Sequence, residues 1–370
     1  MHEWNGSWKI DLPSSSTLSR KFAFLRPAGH WLTGRTKPDR IQRAVQVYAA
    51  GEGEEEDRMP DVAVHYSFGQ QVLGALPPTI VSRIRLDPFT FALFGPDPWF
   101  VFRPWKEKRG RMMHTRKTGA FLSGLAERAR QERGTEAGEQ LFSYLAGFLC
   151  HYTLDACAHP YIIWQTTEVC RRKGAHRAFE HTMDVLEVTR AGFWQGAHPV
   201  TARYLPPLQL PPEMKQGLET VYGSVYGWNK AWSEVNRSYY LFRLAYRWME
   251  KPGGAAALLA RGPGGDLMRS LAYSESYFEG QDVENAQRAE WHYAYNPERT
   301  SRMSFSDLRR EAGEAAVRMI MAVRAYVEGT SEDPASLREI IGNRSYLSGL
   351  DVDDPRNWNV RDLLPAILTS

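Results

Sequence analysis

The chain has 370 residues, 43% of them hydrophobic and 12% aromatic, with a formal net charge of +3. That is enough apolar material for one large globular domain or two, and too little excess charge for non-specific attraction to nucleic acid or anionic lipid. Every long apolar run is broken by a charge (Arg83, Arg85, Asp97 or Asp155), so none reaches membrane-spanning length.

The first residues, MHEWNGSWKIDLP, carry no basic segment followed by an apolar one, so no signal peptide is expected. Cys150, Cys157 and Cys170 are odd in number and lack CxxC spacing; they read as small buried thiols in a reducing compartment. Together these features point to the cytoplasm. Residues 1–58 differ from the rest: they mix SSS with scattered Trp and Arg and end in GEGEEEDR, directly before Met59. Glu and Gly codons are purine-rich, and such a run ahead of a Met is what a bacterial ribosome-binding site gives when read as protein. The expectation is a start at Met59, with 1–58 a non-native or disordered extension; mass spectrometry of the native N-terminus tests it.

From Met59, apolar Val64, Phe68, Val72 and Leu73 fall on one helical face that ends by Pro77-Pro78. Residues 83–105 read as a loop containing GPDPWF. Phe121, Leu122, Leu125 and Ala129 mark an amphipathic helix over 119–133, and the apolar segment GFLCHYTLDACAHPYI, 147–162, is the next helix. Pro160 is expected to end or bend it, biasing His159 towards an extended backbone. A helical pattern over 176–190 precedes a proline-rich connector at 206–212. One long helix is expected over 213–250, a flexible stretch over 253–265, and a helix from Ser304 with Asp307 in its first turn. No repeats, heptads or runs of alternating strands appear, so the class is all-α.

His151, Asp155 and His159 stand four apart. Steps of four advance about 40° on a helix, so the first two share a face and the third comes close. Burying an Asp and a His in so apolar a run is costly unless they are paired, hydrogen-bonded or metal-bound. The plain alternative is a buried His–Asp pair. His65, Asp97 between two prolines, His114, and His176 with Glu180 in HRAFE add further imidazoles and carboxylates from separate segments. Such a mixture suits zinc, and facing helices are where bundles build metal sites. An exposed His176–Glu180 pair would only stabilise its helix slightly.

The pieces MPDVAVHYSFG, GPDPWF, Met113-His114, GFLCHYTLDACAHPYI and HRAFEHTMD resemble, in this order, the bacterial zinc-dependent phospholipase C family, in the phospholipase C and S1/P1 nuclease superfamily. YNPERTSRMSF and SYLSGL resemble it more generally. The resemblance implies a multi-helix bundle with a metal cluster in a cleft between helices, over 59–370, its metal motifs in 59–190 and a helical remainder in 191–370. It implies two or three zinc ions. Asp97, His114, His151 and Asp155 would hold one, and His159, His176 and Glu180 a second. A third would take His65, bridging Asp155, and the amine and carbonyl of Pro60 in a chain that starts there. His159 follows Asp155 by four residues where secreted members space the pair by six. His181 and Asp184 are alternative ligands or hydrogen-bonding neighbours.

The activity this implies is hydrolysis of a phospholipid phosphodiester by a zinc-activated water, with Asp97 orienting that water or accepting its proton. The implied partners are a phospholipid or other phosphodiester and a transient membrane contact, with no long nucleic acid. The alternatives are an S1/P1-like nuclease or nucleotidase and a catalytically inactive zinc-binding scaffold. Trp99, Phe100, Phe102 and Trp105 are candidates for the cleft mouth, with at least two of the four expected in the core.

Overall fold

The computed structural model describes residues 62–102, 109–171, 175–192, 194–195, 198–199, 201–249, 278, 280–331 and 333–357. The expectations for residues 1–58, Met59, Pro60, Trp105 and 253–265 lie outside these residues. No described helix is long and apolar enough to cross a membrane.

The fold is all-α and organised on one central helix. In chain order, α1 is Val62–Ala75, α2 Pro78–Val81, α3 Leu86–Ala92, α4 Arg109–Thr115, α5 Thr118–Gln131, α6 Glu136–Trp164 and α7 Ala175–Arg190. Then come α8 Lys215–Tyr226, α9 Ala231–Met249, α10 Phe305–Glu328 and α11 Pro334–Ile341. Helix α6, 29 residues and so about 43 Å long, is buried on every side from Leu141 to Ile163 apart from Cys157. It packs against α10, α3 and α5. A helix apolar all round must lie in the middle of its domain.

Its start is capped by the Thr135 hydroxyl, which accepts from the Gly138 N–H at 3.1 Å. Gly147 lets α3 cross it closely: a Cβ there would sit 2.2 Å from the Phe89 carbonyl oxygen. Pro160 neither ends α6 nor takes His159 into extended backbone. The helix runs on to Trp164 and a π-helical turn, Gln165–Val169. The proline removes one N–H, the partner of the Ala156 carbonyl. Gly349 packs so closely there that a Cβ on it would lie 2.5 Å from that oxygen. Tertiary packing therefore outweighs the local preference.

Three other expectations change. Residues 83–105 are not simply loop: α3 forms with Pro88 in its first turn, where a missing N–H costs nothing, and Asp97–Val101 is a 3-10 turn. The helix expected over 213–250 is two, because Gly227, at φ 78°, closes α8 and a short connection precedes α9. Among the described residues there are two short antiparallel strand pairs. The first pairs β1 Trp194–Gln195 with β2 His198–Pro199, and the second pairs β3 Trp291–Tyr293 with β4 Asn296–Ser301. The second buries Trp291, whose indole N–H donates to the Met303 carbonyl at 3.0 Å. Strands this short and irregular leave no alternation to read. The start at Ser304 is as expected: its hydroxyl accepts from the Asp307 N–H at 3.2 Å and the Asp307 carboxylate accepts from the Ser304 N–H at 3.0 Å.

Candidate metal centre

Helix α6 presents His151, Asp155 and His159, all buried, one turn apart on the side towards α1 and the Asp97 turn. The first segment to meet them is α1, carrying His65. Asp184 of α7, fully buried, accepts the N–H groups of Val62 at 2.8 Å, Ala63 at 2.7 Å and Val64 at 3.1 Å. A carboxylate suits the positive end of a helix, and here it sets the height at which His65 projects. His65 Nε2 lies 3.2 Å from Asp155 Oδ1, and the His65 ring stacks on His151 with centroids 4.2 Å apart.

The Asp97 turn is delivered by Gly95, whose φ of 44° is left-handed. A Cβ at Gly95 would be 2.4 Å from Cδ2 of His151, so the backbone lies directly on that ring. Asp97 Oδ1 then stands 3.1 Å from His114 Nε2, and Oδ2 stands 3.6 Å from His151 Nδ1. His114, in the last turn of α4, is held by its Nδ1–H donating to the Gly110 carbonyl at 2.8 Å. His151 is held likewise, Nδ1 to the Leu93 carbonyl at 3.2 Å. Carbonyls on Nδ1 fix the tautomer that leaves Nε2 as a lone-pair donor.

Asp155 joins these groups. Oδ2 is 3.0 Å from His151 Nε2 and 3.6 Å from His114 Nε2, while Oδ1 faces His65 and, at 3.7 Å, His159 Nδ1. Further along, His159 Nε2 is 3.5 Å and His176 Nε2 3.1 Å from Glu180 Oε1, with the two rings parallel at 5.6 Å. The shorter spacing from Asp155 to His159 therefore still brings His159 to HRAFE.

Three sets of side chains thus have the makings of cation sites: His65, His151 and Asp155; Asp97, His114 and His151; and His159, His176 and Glu180. In each, one donor atom per residue lies within 4.8 Å of the others. Tetrahedral zinc with bonds near 2.1 Å places its ligand atoms about 3.4 Å apart, and the distances above scatter around that value. The donor set also carries its own sign of need. His151 Nε2 and Asp97 Oδ2 are buried without a hydrogen-bond partner. With its proton on Nδ1, His151 turns a lone pair on a carboxylate 3.0 Å away, a repulsion that only a cation or an added proton between them relieves. Imidazole with carboxylate fits zinc.

Electrostatics agree. Burial opposes ionisation of Asp155, but His151, His159 and His65 outweigh it and hold the carboxyl well below the usual carboxylate range. Burial likewise opposes ionisation of Glu180, and His176 and His159 overcome it, holding the group at about 2. Burial pushes the His114 imidazole down, yet Asp97 and Asp155 raise it above its ordinary value.

Residues 64–229 match the family model for zinc dependent phospholipase C. That stretch belongs to the zinc-dependent phospholipase C family. It takes in every candidate ligand just described and covers somewhat under half of the chain. No curated protein and no solved structure matches the chain. Membership gives the phospholipase C domain its coarse character, a hydrolase of the zinc phosphoesterase kind with side-chain groups arranged for metal binding.

Two candidates weighed as ligands stand outside the three sets: Asp184 is occupied with the α1 amides, and His181 is buried beside Glu180. Of the aromatic candidates, Trp99 and Phe102 are core, stacked edge-on at 5.5 Å, and Arg109 lies over the Trp99 and Trp228 rings. Phe100 is half-buried, its ring 5.1 Å from His114. Gly95 is a further functional residue, since it lays the backbone on the His151 ring. Its signal was present in GPDP, a glycine required where backbone crosses an imidazole.

Proposed function

We propose that this protein is a zinc-dependent phosphodiesterase that hydrolyses a phospholipid in the manner of a phospholipase C. In this reading Asp97, His114, His151 and Asp155 hold one zinc ion, and His159, His176 and Glu180 a second. A third ion would use His65 and Asp155, completed by the backbone amine and carbonyl of Pro60 in a chain that begins there. The observation that supports the reading most is the position of Asp155, whose two oxygens face different sets of imidazoles inside a domain of this family.

Zinc bound by these residues supplies Lewis acidity towards phosphoryl oxygens and lowers the pKa of a water it holds towards neutrality. The protein's own groups do the rest. The carbonyls of Gly110 and Leu93 keep two imidazoles in register, so no reorganisation is needed during reaction. Asp97 is assigned as the proton acceptor, because Oδ2 is buried and has no hydrogen-bond partner. Water adds to phosphorus, its proton passes to Asp97, and the bond from phosphorus to the glycerol oxygen breaks. Asp97 returns that proton to the glycerol oxygen, so diacylglycerol leaves as the neutral alcohol and the phosphorylated head group remains.

The test is an assay of purified protein against phosphatidylcholine vesicles, single-stranded DNA and a simple phosphodiester, with and without chelator. Release of diacylglycerol that chelator abolishes and zinc restores is the expected result. Turnover of DNA alone would replace the lipid by a nucleic acid, and zinc binding with no turnover would replace the enzyme by a scaffold.

A further inference from the structure

Beyond the family match lies a loop that closes the back of the metal centre. Residues 342–351 follow α11 and thread between α5 and α6. The loop turns through two left-handed glycines, Gly342 at φ 70° and Gly349 at φ 69°. Both touch helical backbone. A Cβ on Gly119 of α5 would lie 2.2 Å from the Gly342 oxygen, and one on Gly349 would lie 2.5 Å from the Ala156 oxygen of α6. Tyr152, the neighbour of His151, ties the loop down: its hydroxyl donates to the Ile341 carbonyl at 3.0 Å and accepts the Arg344 N–H at 3.0 Å. Thr118 adds a bond to the Arg344 carbonyl at 2.8 Å.

At the middle of this loop is Tyr346, 1% exposed. Its N–H donates to the carbonyl of His114 itself at 2.9 Å. Its ring meets the His114 ring edge-on at 5.1 Å and the His151 ring at 5.8 Å. These two histidines come from different helices, α4 and α6, and belong to the same candidate set. Each is already held at Nδ1 by a carbonyl, and each ring has a neighbour of its own: His65 and the Gly95 backbone on His151, and Phe100 beside His114. Of these neighbours, Tyr346 is the one that packs against both rings, so it couples the angle of one to the angle of the other.

We infer that Tyr346 is a positioning residue of the metal centre, setting the angle between His114 and His151, so that the site is completed by chain outside the family-matching segment. The inference rests on the zinc reading proposed above. The contacts with both histidines are made by the ring and the backbone N–H. Phenylalanine therefore preserves both, whereas leucine keeps the N–H bond and loses the ring contacts.

The experiment uses the full chain and three variants: Tyr346→Phe, Tyr346→Leu and, as a core control, Val323→Ala. Val323 is fully buried beside Arg324, which reaches Glu139, about three turns along α6 from His151. Zinc affinity is read by competition with a chromogenic chelator, and ligand geometry by the visible bands of the Co(II)-loaded protein. Tyr346→Phe is expected to match the parent protein. Tyr346→Leu is expected to weaken one class of zinc site by about 10- to 100-fold and to shift the Co(II) bands. Val323→Ala is expected to lower stability with zinc affinity intact. Parent-like affinity and bands in Tyr346→Leu would overturn this inference alone, as would equal zinc loss in Val323→Ala. A parent protein that binds no zinc would overturn the metal reading and this inference with it.

Discussion

Asp155 turns Oδ1 to His65 at 3.2 Å and keeps Oδ2 for the neighbouring rings. One carboxylate thereby stands between two candidate cation positions. Removing its charge should affect both. Asp155→Asn is expected to lower zinc content by more than one ion per chain and phosphodiesterase activity by at least about 100-fold, since even partners outside the ligand set are worth 10- to 100-fold. Metal analysis with a kinetic assay checks this. A variant retaining full zinc content would show that Asp155 is merely a buried ion-pair partner.

Gly95 crosses the His151 ring at a positive φ, where both conformation and space exclude a side chain. Gly95→Ala is expected to cost about 1–3 kcal/mol and to release zinc, because relief of the clash must move either the ring or the Asp97 turn. Chemical denaturation alongside zinc analysis measures the two effects separately. Unchanged values of both would mean that the turn has room the structure does not suggest.

Asp184 serves the start of α1 from 120 residues away or more. Its replacement by alanine leaves three N–H groups without their acceptor, each worth about 1–3 kcal/mol when buried. Asp184→Ala is expected to destabilise the fold by several kcal/mol, discounted for water entering the gap. It should also loosen the site containing His65 more than that containing His176 and Glu180. Hydrogen exchange over 62–75 reports the local effect; protection equal to that of the parent protein would refute it.

Asp307 closes the capping box of α10. Burial raises its pKa, but the Ser304 N–H and hydroxyl, followed by Arg288, bring it down from the ordinary 3.8 to about 2. A carboxyl depressed in the folded state binds protons more readily when unfolded. Its contribution is therefore complete above pH 3.8 and lost as the pH falls to about 2. Unfolding free energy should decline over that window, and Asp307→Asn should decline less steeply. Parallel slopes for the two proteins would assign the acid sensitivity elsewhere.

The sequence by itself determined what one helix can decide. Four-residue spacing put His151, Asp155 and His159 on neighbouring positions of a helix and did the same for His176 and Glu180; Ser304 and Asp307 announced a helix start. Each rests on 3.6-residue periodicity or on a bond between residues three apart, which is local. Only the tertiary structure decided that Pro160 stays helical, that Asp184 caps a distant helix, and that Tyr346 faces two histidines. Those outcomes depend on glycines at 95, 147 and 349 allowing backbones to touch and on α1, α3 and α5 packing around α6. Contacts between segments a hundred residues apart are set by shape and burial across the whole core, and no short-range pattern carries them.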